Sequence, residues 1–103
     1  MVRLVEDPAN EVWVSALSIW ECRIKQAKGK LFLPPNLGQI ITESGFLDLP
    51  FNALHAEETA TLPPIHADPF DRGLLAQARC EGFTLLTSDR RLAEYGAPVM
   101  YVG

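Results

Sequence analysis

The sequence predicts an α/β domain: a mainly parallel sheet covered by helices. Short β-branched and aromatic runs alternate with longer segments whose apolar residues recur at helical spacing, and such crossovers are how parallel strands are joined. Gly, Pro or a capping residue marks nearly every change of period. At 103 residues and 48% hydrophobic composition, the chain can bury one modest core and is short for two, so residues 1–103 read as a single domain.

Residues 1–6 read as the last turn of a helix or a frayed end. Asp7-Pro8-Ala9-Asn10 supplies a turn before Val12-Trp13-Val14, a buried strand by its composition. Ser15 or Ser18 can cap the next helix, where Leu17, Trp20 and Ile24 form an apolar stripe, and Gly29 should end it. Leu31-Phe32-Leu33-Pro34-Pro35 links to a modest helix over residues 36–44, then to a short strand, Phe46-Leu47-Asp48-Leu49, stopped by Pro50.

Asn52 begins a helix over residues 52–61 that ends before Pro63-Pro64. A loop carrying Ile65-His66-Ala67-Asp68 leads to a helix over 69–81, opened by Pro69, packed through Phe70, Leu74, Leu75 and Ala78, and closed by Gly82. Phe83 to Thr87 is the clearest late strand, Asp89 to Glu94 a short helix, and Pro98 to Val102 a final strand.

The chemistry points to acids. Nine basic against 13 acidic residues give a formal net charge of −4, which excludes a protein that coats nucleic acid through bulk charge but not a nuclease whose bound cations reverse the charge of an acidic cleft. Cys22 and Cys80 form no zinc-ligand pattern and sit in apolar helical patterns that predict buried thiols; with no signal peptide or membrane span, the expectation is cytoplasmic residence. His55 and His66 have no companion at metal-ligand spacing, and His66 is placed to hydrogen-bond Asp71 or backbone.

Glu21 follows the first strand-like run and Asp89 the late one, where ligands collect in open α/β sheets. Asp68 and Asp71 open the 69–81 helix. Each has an alternative structural role: Asp68 and Asp89 as helix caps, Glu21 as the capping-box partner of Ser18, Asp71 as a solvated or salt-bridged acid. Oxygen-only ligands suit Mg²⁺ or Mn²⁺, and phosphodiester hydrolysis needs electrostatic stabilisation rather than a cysteine nucleophile. Arg72, Arg79, Arg90 and Arg91, with Lys25, Lys28 and Lys30, are candidates for phosphate contact or for surface solubility; Trp13 and Trp20 read as core or interface groups.

Val14-Ser15-Ala16-Leu17-Ser18-Ile19-Trp20-Glu21, then His66 to Ala78 with its Asp68-Pro69-Phe70-Asp71-Arg72 core, then Leu85-Leu86-Thr87-Ser88-Asp89 resemble a PIN domain of the VapC toxin type. The resemblance implies a PIN-like parallel sheet flanked by helices and a ribonuclease that cleaves RNA with Mg²⁺ or Mn²⁺, is restrained by a cognate antitoxin and forms a homodimer. It implies Glu21 and Asp71 as direct metal ligands, Asp89 as the late supporting acid and Asp68 as a further participant. Such domains begin with an apolar strand ending in a catalytic Asp, often Asp-Thr-His, which this sequence lacks; Asp7 does not replace it. The expectation is therefore an N-terminally truncated fold with exposed sheet edges that a dimer would cover. The alternative is a catalytically impaired PIN-like protein that binds an antitoxin or another subunit. A response-regulator-like signalling domain also gathers acids at strand ends, but the early acidic pair and late strand-end lysine it needs are missing.

Overall fold

The computed structural model describes residues 3–65 and 68–102. Strands β1 (Arg3–Glu6), β2 (Val12–Ser15), β3 (Leu47–Leu49), β4 (Thr84–Thr87) and β5 (Val99–Tyr101) form one five-stranded sheet in the order β3-β2-β1-β4-β5. Helices α1 (Ala16–Ala27), α2 (Leu37–Glu43), α3 (Ala53–Glu58), α4 (Pro69–Glu81) and α5 (Arg90–Ala93) flank it, with a 3-10 turn at Thr59–Thr61 prolonging α3. The fold is α/β, and from Val12 onward the alternation read from the sequence is the alternation observed.

The N-terminal segment differs from its expectation. Residues 3–6 are neither helix nor frayed end but the central strand, antiparallel to both β2 and β4. The outer pairs, β2 with β3 and β4 with β5, are parallel, so the sheet is mixed. The antiparallel direction follows from the short connection to β2, since a turn of a few residues can join only antiparallel neighbours. The interior slot beside β2 and β4 is therefore filled, not open.

Asp7 makes that turn. One carboxylate oxygen accepts the backbone N–H groups of Ala9 (2.9 Å) and Glu11 (3.0 Å), and the other accepts Trp13 Nε1–H at 3.1 Å. Asn10 takes the left-handed conformation, φ 66°, that an Asn tolerates better than most residues. Desolvation acts to raise the Asp7 pKa, but these hydrogen bonds outweigh it and hold the group below its ordinary value. A carboxyl depressed on folding adds stability that is present above its unfolded pKa and lost as pH falls through the folded one. In urea titrations, wild type should exceed Asp7→Ala by a constant margin above about pH 5, and the margin should shrink below about pH 4. A margin unchanged at low pH would contradict the ionised turn.

Sheet pairing sets the core. Val5 lies opposite both Trp13 and Leu85, and this face packs on Leu17, Leu74 and Leu75. Val5, Leu74 and Leu85 are fully buried. Helix α4 occupies the predicted residues 69–81, begins at an Asp68 cap with Pro69 in its first turn, and ends at Gly82 in the left-handed conformation, φ 72°. Gly73 permits the close approach of α1, because a Cβ there would stand 2.5 Å from Leu17 Cδ1. Asn52 caps α3 as expected, in a capping box whose returning partner is His55 Nδ1. Cys80 is exposed rather than buried, on the outward side of α4.

Candidate functional site

Ser15, not Ser18, caps α1: its hydroxyl accepts the Leu17 N–H at 3.0 Å and donates to Gln77 Oε1 at 2.5 Å. Gln77 passes the connection on by donating from Nε2 to the Pro50 carbonyl at 3.1 Å. This buried relay ties β2, α4 and the loop after β3, so the start of α1 keeps a fixed place against the body of α4. With Ser15 as the cap, Glu21 is released from a capping-box role, and its side chain turns inward.

There it meets Arg3. The Arg3 guanidinium bonds Glu21 Oε1 from Nη2 at 2.6 Å and Asp71 Oδ1 from Nη1, with side-chain exposures of 7% for Arg3, 14% for Glu21 and 3% for Asp71. Lys25 is a remoter cation, 3.9 Å from Glu21 and half exposed. The site is thus an ion triad in which the first strand supplies the cation and α1 and α4 one acid each. Burial alone would push the Arg3 pKa down, but Asp71 and then Glu21 more than reverse it, and the net shift is upward. The guanidinium is charged at every accessible pH.

The other acids are placed by backbone needs. Asp68 Oδ1 accepts the N–H groups of Phe70 at 2.8 Å and Asp71 at 3.3 Å. Asp89 Oδ1 accepts the Arg91 N–H at 2.9 Å at the start of α5, and its own N–H donates to the Thr87 hydroxyl at 3.0 Å. Both occupy the capping positions the sequence allowed. Arg3 is paired in register with Thr87, which puts the triad on the strand end from which Asp89 departs. His66 lies outside the described residues.

The basic candidates separate into two groups. Arg72 donates to the carbonyls of Thr59 (2.9 Å), Pro63 (3.1 Å) and Leu62 (3.3 Å) and to the Tyr95 hydroxyl (3.1 Å), so it fastens the loop ahead of α4. Arg79 pairs with Glu58, and Arg90 lies over the Tyr101 ring. Lys25, Lys28 and Lys30 instead line a shallow groove beside Glu21, Asp68 and Phe70. Trp13 packs against the core next to Phe83, whereas Trp20 is 59% exposed and meets Phe70 edge-on, so it is not a core group.

The PIN domain family profile matches residues 1–98. The chain belongs to the PIN domain family. No curated protein and no solved structure matches it. PIN domains have a nuclease-type fold, are in general dependent on divalent metal and in general imply RNA as substrate. No helix among the described residues is long and apolar enough to cross a membrane.

A divalent ion does not fit between Glu21 and Asp71 as these residues stand. Glu21 and Asp71 are hard oxygen donors of the right kind, but the guanidinium spans them. Among the described residues, no group of three or more His, Cys, Asp or Glu side chains is positioned to hold a metal ion. Nor is a carboxylate oxygen stranded: among the described residues, the buried side-chain oxygen without a partner is the Ser18 hydroxyl.

Arg3 and Gln77 are the residues sequence reasoning missed. A lone arginine in Val2-Arg3-Leu4-Val5 was the available signal, since a charge inside a short apolar run must find a partner if the run is buried.

Proposed function

We propose that this PIN domain is an RNA-directed nuclease of the VapC toxin type in which Glu21 and Asp71 are the principal acids. One observation carries the reading: two little-exposed acids from different helices, far apart in sequence, converge on the same guanidinium at a sheet end. A purely structural acid needs no such second acid beside it, because like charges brought together in a poorly solvated place repel. Asp89 and Asp68 would support the site through the helix starts they cap. On this reading Mg²⁺ or Mn²⁺ is the family's cofactor, a cognate antitoxin and a second copy of the chain are its partners, and the cytoplasm is its location.

A second reading draws on Arg3. An acid pair already neutralised from within by Arg3 suits a PIN domain impaired in cleavage that retains antitoxin or subunit binding.

A mixed panel of single-stranded and structured RNAs, incubated with Mn²⁺, decides between them. The nuclease reading expects cleavage that falls by about 10²-fold or more in Asp71→Asn. Intact RNA with wild type and with Arg3→Met, from chains shown folded by circular dichroism, would leave the binding-protein reading.

A further inference from the structure

We propose that Arg3 is a tethered counter-cation that excludes divalent metal from Glu21 and Asp71, so that β1 holds the acid pair closed while it remains in the sheet. The inference concerns regulation of the site proposed above and rests on Glu21 and Asp71 being its metal-facing acids; it does not require that RNA be cut.

Three features support it. The first is geometric: a planar guanidinium offers several donors in a fixed fork, so one side chain can satisfy a carboxylate at each of two nitrogens, which an ammonium cannot do with the same fit. The second is mechanical. Arg3 is delivered by the central strand, held on one side by β2 and on the other by β4, where Arg3 itself is in register with Thr87. Leaving the acids would therefore mean rearranging an almost fully buried side chain or the strand that carries it. The third is competitive. A cation fixed to the fold acts at an effective concentration in the millimolar range or above, and a divalent ion must also shed part of its water to enter. Both terms weigh against the free ion.

The alternative account, that Arg3 is a core ion pair with no bearing on metal, predicts a different experimental pattern. Mn²⁺ binding to the wild-type chain, Arg3→Met and Arg3→Lys can be followed by the electron paramagnetic resonance of the free ion and by the shift in thermal midpoint. Wild type is expected to bind weakly and to show no midpoint shift. Arg3→Met should bind at least tenfold more tightly and be stabilised by Mn²⁺, and the gain should vanish when Asp71→Asn is added. Arg3→Lys, able to engage one acid well but not both, should show a smaller gain.

If Arg3→Met is unfolded without metal, refolding on Mn²⁺ supports the proposal. If it stays unfolded at every concentration, Arg3→Lys decides alone: a gain over wild type supports the proposal and equal affinity overturns it. Equal Mn²⁺ affinity in wild type and folded Arg3→Met also overturns it, as does a gain that survives Asp71→Asn. The nuclease reading fails separately: tighter Mn²⁺ binding in Arg3→Met with every RNA intact keeps the exclusion role and removes cleavage. Wild type that cuts RNA as fast as Arg3→Met at equal Mn²⁺ removes the exclusion role and keeps the nuclease.

Discussion

Asp71→Ala is expected to lower the free energy of unfolding by about 3 kcal/mol, the low end of the range for removing one partner of a buried ion pair. The value sits at that end because Glu21 remains to share the Arg3 charge. The loss is not the net worth of the ion pair. It is chiefly the cost of leaving a guanidinium, only 7% exposed, short of one counter-charge. Arg3→Met should therefore cost less in the Asp71→Ala background than in wild type, because it then leaves only Glu21, and not both acids, without the guanidinium. Urea midpoints for the two single variants and the double variant complete the cycle. A double variant whose loss equals the sum of the singles would show that Arg3 and Asp71 do not interact.

Val5→Pro should have a still larger effect, leaving little folded protein. Val5 lies opposite Trp13 on one side and Leu85 on the other and is fully buried. Proline removes a ladder donor and brings a ring into the close-packed strand, which is why it is confined to edges and bulges. The lost ladder bond, the misfitting ring and the lost valine contacts together take up much of the roughly 5–15 kcal/mol that a domain has in all. Far-ultraviolet circular dichroism and the urea transition should both show this. A cooperative transition near the wild-type midpoint would mean that β1 is dispensable to the sheet, and the placement of Arg3 would fall with it.

How much of this was legible depended on whether the information was local. Helix α4 could be read to the residue because Asp68, Pro69 and Gly82 are punctuation that acts within a turn. Asp71 stood out because the turn after it is apolar, which implied that the acid was being carried inward. Strand β1 could not be read in the same way. Four residues have no measurable period, and what makes them a strand is the pairing of Leu4 with Leu86 and Val5 with Leu85 from the other end of the sequence. Gln77 was hidden for a related reason: its partners Ser15 and Pro50 come from elements distant in the chain. The choice between Ser15 and Ser18 as the α1 cap was ambiguous locally, since both have a plausible helix ahead of them. Burial of Ser15 beside Gln77 resolves it and, with it, the direction of Glu21.

The central position of β1 also governs the order in which the protein can assemble. The β1–β2 hairpin closes through a turn at Asp7 and needs only neighbouring residues, so it can form as soon as β2 has been made. Its other flank has no partner until Thr84 to Thr87 have been made. Until then one edge of the hairpin presents unpaired amides and carbonyls, the feature that invites pairing with a foreign strand. Such a long-range closure raises contact order and slows folding. The ribosome therefore releases the arginine long before Asp71, and the triad must wait until α4 has been made.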